Sequence, residues 1–167
     1  MPTSGRNRPG PFRYYLERHT GKAAAPVAVA LDRLGLKASV QPDDFTGGIP
    51  GAPPAPSVVL WNRASSPLGV PGVVLIAGKT TVSGDGPSAF TRLNEATSGD
   101  TVVLTGDNGA AYRFRLDSVD GAAAPPDFVA LLAQRQAEQL ALVGWDGDYP
   151  APDTGQTVVL AIGSRES

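Results

Sequence analysis

Apolar residues fall in short runs along this chain, with glycine and proline gathered between them. Eight such runs predict strands: Pro26 to Leu31, Lys37 to Val40, Ser57 to Trp61, Gly72 to Ala77, Thr101 to Thr105, Ala110 to Val119, Leu140 to Val143 and Thr157 to Ile162. Gly72 to Ala77 is apolar without interruption, the pattern of a central strand buried on both faces. Tyr112, Phe114 and Leu116 alternate with Arg113, Arg115 and Asp117, which puts rings on one face and charges on the other. Asp107-Asn108-Gly109 joins its strand to the preceding one as a hairpin. Pro125-Pro126-Asp127 opens a helix with Asp127 as N-cap; Phe128, Leu131, Leu132 and Arg135 would lie on one side of it, and it would run to about Gln139. Pro87 to Leu93 predicts a second, short helix. Residues 41–57, rich in Asp, Gly and Pro, predict a long loop of functional or mobile character. Many short strands with one main helix give an all-β fold, a closed or nearly closed barrel.

Composition narrows the chemistry. At 167 residues, 41% hydrophobic and 18% charged, the chain is one globular domain. Without cysteine there is no disulfide framework, thiolate metal site or thiol nucleophile. His19 stands alone, which excludes a histidine-rich metal site. Nothing in the residues calls for a cofactor. Charge is unevenly spread: residues 1–22 carry Arg6, Arg8, Arg13, Arg18 and Lys22 against Glu17, while the remainder holds 9 basic and 15 acidic side chains. The division is therefore a basic N-terminal arm, residues 1–25, and a barrel domain, residues 26–167. Within the arm Phe12 to His19 predicts a helical turn or two, and Tyr14 and Tyr15 offer stacking surfaces. The acidic body argues against nucleic acid, and a solvated arm is the plainer reading. No run has the length of a membrane span, and Met1 to Gly21 has no signal-peptide core. The expected location is cytoplasmic for a full-length chain, or extracytoplasmic if an N-terminal anchor was removed.

The order of the segments carries a resemblance. Pro26-Val27-Ala28-Val29 with Leu34-Gly35-Leu36 looks like an opening strand and turn. Val74-Leu75-Ile76-Ala77-Gly78-Lys79-Thr80 looks like a strand that ends in Ala-Gly-His-Thr. Phe90-Thr91-Arg92-Leu93, Ser98-Gly99-Asp100-Thr101-Val102 and Tyr112-Arg113-Phe114-Arg115-Leu116 follow in order. Leu140-Ala141-Leu142-Val143-Gly144-Trp145 looks like a strand that ends in Thr-Cys, and Thr157-Val158-Val159-Leu160-Ala161 like a final strand. Together they resemble the sortases over residues 26 to 163, and most nearly the compact class E/F sortases of actinobacteria. That resemblance implies an eight-stranded barrel. It also implies an acyl transfer in which a Cys attacks a peptide carbonyl, a His serves as acid and base, and an Arg stabilises the oxyanion.

All three catalytic positions depart from the family pattern. Lys79 stands at the histidine, Trp145 at the cysteine, and Gly155 at the arginine (Gln156 if the register slips by one). Arg165 lies beyond the final strand and is a poor substitute. Covalent acyl transfer needs an activatable nucleophile beside a base. An indole offers only an N–H donor, and an amine becomes a base here only if burial depresses its pKa by several units. The family chemistry therefore leaves no catalytic residue.

The expected function is a catalytically degenerate sortase-like protein whose former cleft binds a peptide or small-molecule ligand, or supports an interaction. Lys79, Thr80, Arg92, Trp145, Asp146 and Gln156 would form that cleft. Lys79 reads as a solvated charge or as a contact for an anion. Trp145 reads as an apolar plug or as a stacking platform. The alternative is a repurposed cytoplasmic enzyme, a biosynthetic cyclase for instance, that positions a natural-product intermediate in a Trp- and Lys-lined pocket. Asp146-Gly147-Asp148 lacks the remaining ligands of a calcium loop and reads as an acidic turn. Asp43 and Asp44 would supply an acid to the cleft if the Pro-rich loop closes over it.

Overall fold

A computed structural model describes residues 23–83, 86–151 and 154–166. The expected helix at Phe12 to His19 and the charges of residues 1–22 lie outside the described residues. The described residues form ten strands: β1 (Pro26–Leu31), β2 (Leu36–Asp43), β3 (Val58–Asn62), β4 (Gly72–Lys79), β5 (Val82–Ser83), β6 (Gly86–Pro87), β7 (Thr101–Gly106), β8 (Ala111–Ala123), β9 (Glu138–Trp145) and β10 (Val158–Arg165). Eight of them close a barrel in the order β1-β2-β3-β4-β9-β10-β8-β7, and β5 and β6 form a separate two-stranded ribbon. Most pairs are antiparallel, but β2 pairs with β3 and β4 with β9 in parallel.

Period two decides which side chains enter the barrel. From β4, Val74 and Ile76 point inward, with Leu140 and Leu142 of β9, Val159 and Ala161 of β10, and Tyr112, Phe114 and Leu116 of β8. The opposite faces of β4 and β9 are buried too. Val73, Leu75, Ala77, Ala141, Val143 and Trp145 form a second core under Phe45 and Phe128. Two buried faces explain the unbroken apolar run of β4. On β8, with only one face covered, the expected alternation holds, and Arg113, Arg115 and Asp117 are exposed.

The helix expectation is corrected. Asp127 does cap it, accepting from the N–H groups of Val129 and Ala130, but helix α1 is a single turn, Phe128–Leu131. The Gln134 side-chain oxygen then accepts from the backbone N–H groups of Gln136 and Ala137. Gly72 N–H donates to the Ala137 carbonyl, and the chain enters β9 paired with β4. Parallel pairing to a buried strand outweighs the modest helix preference of this segment. The second expected helix, Pro87 to Leu93, is also corrected: Pro87 ends β6, residues 89–92 are turn, and a single 3-10 turn follows at Leu93–Glu95. The 41–57 loop is shorter than expected, because β2 continues to Asp43, pairing Pro42 with Trp61.

One ion pair ties the first hairpin to the start of β7. Asp100 accepts two bonds from the Arg33 guanidinium, 2.7 and 2.8 Å, and one from Thr97 N–H at 2.9 Å. The Arg33 bonds hold the Asp100 carboxyl below its ordinary value of 3.8 despite partial desolvation. A depressed carboxylate stabilises the fold at pH values above the unfolded pKa. That contribution fades as pH falls through the folded value. Urea unfolding at about pH 6 and about pH 3 should therefore show a smaller acid-induced loss in Asp100→Asn than in the parent chain. Parallel losses in the two proteins would remove this pair as a source of acid sensitivity.

Candidate functional site

The ends of β4 and β9 meet in register, so that Gly78 faces Gly144 and Lys79 faces Trp145. Thr80 N–H donates to the Trp145 carbonyl at 2.8 Å and extends the ladder by one bond. Both glycines are required by close packing. A Cβ on Gly78 would lie 2.5 Å from Val59 Cγ1, and one on Gly144 would lie 2.7 Å from Thr80 Cγ2.

Trp145 faces the outer core and is 2% exposed. Tyr149 packs edge-on against its indole at 5.4 Å between centroids. Tyr149 in turn meets Phe128 at 5.9 Å, and Phe128 meets Phe45 at 5.6 Å. This row of four rings fills the space above the β4 and β9 strand ends. Burial raises the Tyr149 pKa to about 12, so the phenol stays protonated, and its oxygen has no hydrogen-bond partner among the described residues.

Lys79, half-buried, lies at the rim. Its ammonium stands 5.7 Å from the Trp145 ring centroid, within cation–π range, and donates to the Gly147 carbonyl. Thr81 braces the following turn, donating from Oγ1 to Asp146 Oδ1 at 2.6 Å and accepting from Gly147 N–H at 3.2 Å. Asp146 thus belongs to an acidic turn held by a threonine.

The opposite wall is the loop after β2. The Asp43 carboxylate accepts from Phe45 N–H at 2.9 Å and Gly51 N–H at 3.2 Å, which folds the loop back on itself. Phe45 has φ 49°, the one non-glycine residue among those described in the left-handed region. That conformation drops its ring into the aromatic row, at a cost that its burial offsets. Asp44 pairs with Arg63 instead. Both carboxylates therefore build the loop, and neither supplies an acid to the cleft.

Of the six expected cleft residues, the structure brings together Lys79, Thr80, Trp145 and Asp146. Arg92 is not among them: it holds Glu95 through two 3.0 Å bonds and the Leu34 carbonyl at 2.7 Å. Gln156 is on an exposed loop, where its N–H donates to Thr154 Oγ1. Gly155, with φ 77°, has nothing within 4 Å of an added Cβ. Sequence reasoning missed Phe45 and Tyr149. Neither lies in a periodic segment, so no pattern marked either ring as buried.

Two open grooves flank Lys79. One, of about 270 Å³, runs between Ile49 to Ala52 and the Trp145, Asp148 and Tyr149 side. The other, of about 450 Å³, runs along Ala52 to Pro56 toward Thr81 and Ser88. Among the described residues no cluster of three or more His, Cys, Asp or Glu side chains could hold a metal. Nor is any helix long and apolar enough to cross a membrane.

Neither a family profile nor a curated protein sequence matches this chain. Solved structures do. Sortase C1 from Streptococcus suis aligns with TM-score 0.64 and 16% identity, over 98% of this chain and 90% of that one. A lid mutant of sortase A from Corynebacterium diphtheriae aligns with TM-score 0.63 and 15% identity, over 96% and 81%. Sortase C1 of GBS pilus island 1 gives 0.63 and 14%, over 84% of this chain and 63% of its own length. At such identities the likeness concerns the fold, and the closed eight-stranded barrel is the sortase fold.

Proposed function

We propose that this sortase-fold barrel does not perform transpeptidation, and that it descends from a class E/F-like sortase whose catalytic set has been replaced. The observation that carries the reading is Trp145: the position matched to the nucleophile holds a buried indole, in a chain without cysteine. Lys79 occupies the histidine position and is held by Gly147 and the indole face. The Gly155 position offers no guanidinium to an oxyanion.

Binding is the role we infer for what remains, with a peptide as the ligand. The burial of Trp145 moves that role away from the indole, which has almost no surface to offer. Lys79 and the two grooves beside it are the accessible part. A substrate-positioning enzyme built around the tryptophan draws no support from this arrangement, since the aromatic row occupies the volume in which an intermediate would be held.

The test is direct. The purified chain is incubated with a fluorescence-quenched sorting peptide and a nucleophilic acceptor, beside an active sortase, and its intact mass is measured. No cleavage above buffer and no acyl adduct are expected. Turnover, or a covalent peptide adduct, would overturn the reading.

A further inference from the structure

The grooves beside Lys79 are parts of something longer. They meet at Ala52 and Lys79. The second continues through Ser88 into a depression of about 350 Å³ along Leu34 to Lys37, Pro87 to Ala89 and Arg92. That depression shares Lys37 and Ser57 with another of about 350 Å³ on the outer face of β1, β2 and β7. Four depressions thus adjoin end to end, from Tyr149 round to Val103.

Charge along this track differs from the rest of the body. Its walls carry Lys37 and Lys79 against the one carboxylate of Asp148, with Arg92 already paired to Glu95, whereas the chain after residue 22 is acidic overall. Arg33, Arg63, Arg92, Arg113 and Arg165 each pair with a carboxylate. Lys37 and Lys79, the lysines of the described chain, have none, and both face the track; Arg115 and Arg135, equally without a carboxylate partner among the described residues, lie outside it. Prolines 50, 53, 54, 56 and 87 stiffen its sides, which lowers the ordering cost of a ligand.

We propose that this track docks an extended acidic peptide segment of a partner protein, with Lys79 and Lys37 each meeting a carboxylate. The proposal rests on the reading of the barrel as a binding protein and names its partner. The barrel is closed, so the segment cannot add as a ninth strand and is held by side chains in the groove. The basic residues 1–22 are poor occupants, because their charge has the sign of the lysines. Nucleic acid is disfavoured as well: Trp145 is buried, and Tyr149, half-buried with its ring edge-on against the indole, is a poor platform for stacked bases.

The experiment uses the full chain and a fluorescein-labelled 12-residue peptide alternating Glu with Ala, read by anisotropy, with a Gln-for-Glu peptide as control. Binding of the Glu peptide alone is expected, weakened as salt rises from about 20 to about 300 mM. Lys37→Ala and Lys79→Gln should each weaken it about two- to five-fold, and Arg135→Ala, an exposed cation outside the track, should leave it unchanged. The proposal is overturned if neither peptide binds, if both bind alike, if Lys37→Ala has no effect, if Arg135→Ala weakens binding equally, or if a single-stranded oligonucleotide binds in preference. None of these outcomes touches the transpeptidation assay, whose readout is cleavage and an acyl adduct.

Discussion

Replacing Trp145 by alanine is expected to lower the unfolding free energy by about 3–5 kcal/mol, among the larger effects of a single truncation. The indole is 2% exposed and lies between Tyr149 and the outer face of β4 and β9. Its removal takes a large apolar surface from the core and leaves a cavity. The cavity cannot close easily: Phe45 is fixed by the Asp43 bonds, and the strand ends are fixed by their register. Edge-on ring contact and the Lys79 cation add to the loss. A fall in melting temperature on the order of 10 °C follows for a chain of this size. Denaturation monitored by Trp61, the remaining tryptophan, measures it. A loss below about 1 kcal/mol would mean that the indole is not a structural plug. Added indole should restore part of the lost stability by refilling an apolar cavity.

The second large effect concerns restoring the family's residues. Gly144→Thr with Trp145→Cys recreates the Thr-Cys ending of β9. It is expected to destabilise the fold by more than Trp145→Ala does, and to yield no acyl transfer. The added threonine must place its Cβ 2.7 Å from Thr80 Cγ2 and 3.4 Å from Leu93 Cδ2, an overpacked site that costs about 1–3 kcal/mol. The cysteine leaves most of the indole volume empty. A thiol restored without a base or an oxyanion donor lacks the coupled unit that the chemistry needs. Urea unfolding and intact-mass analysis with a sorting peptide check both halves. An acylated double variant would show that the scaffold retains more of the catalytic geometry than its residues suggest.

Strands were legible where alternation or an apolar run had a direct physical cause. Pro26 to Leu31 matches β1 end for end, and the Tyr112, Phe114, Leu116 alternation placed those rings inside the barrel. The helix after Asp127 was overextended because propensity is local, whereas the pairing of Glu138 with Gly72 is not. At the site, the facing of Lys79 and Trp145 came from the ordered resemblance, and periodicity alone would not have joined them. The burial of Trp145 depends on Phe45 and Tyr149, which arrive from loops. The position of Phe45 follows from its own left-handed backbone and the Asp43 carboxylate, neither of which leaves a repeating signal. Arg92 lies apart from the Lys79 cluster for a related reason: its partner Glu95 is three residues away, at the end of a short turn.

Closure of the barrel also bears on how the chain reaches its native state. The Lys79 to Gly147 bond spans 68 positions, and β1 must wait for β7 before the ring is complete. Parallel pairing of β4 with β9 can form only after the intervening chain has been brought round, so much of the loop entropy is lost before the contacts that offset it appear. Folding therefore belongs to the slow regime of non-local β proteins, milliseconds to seconds. The indole that ends β9 should become buried late, when the two distant strand ends lock into register.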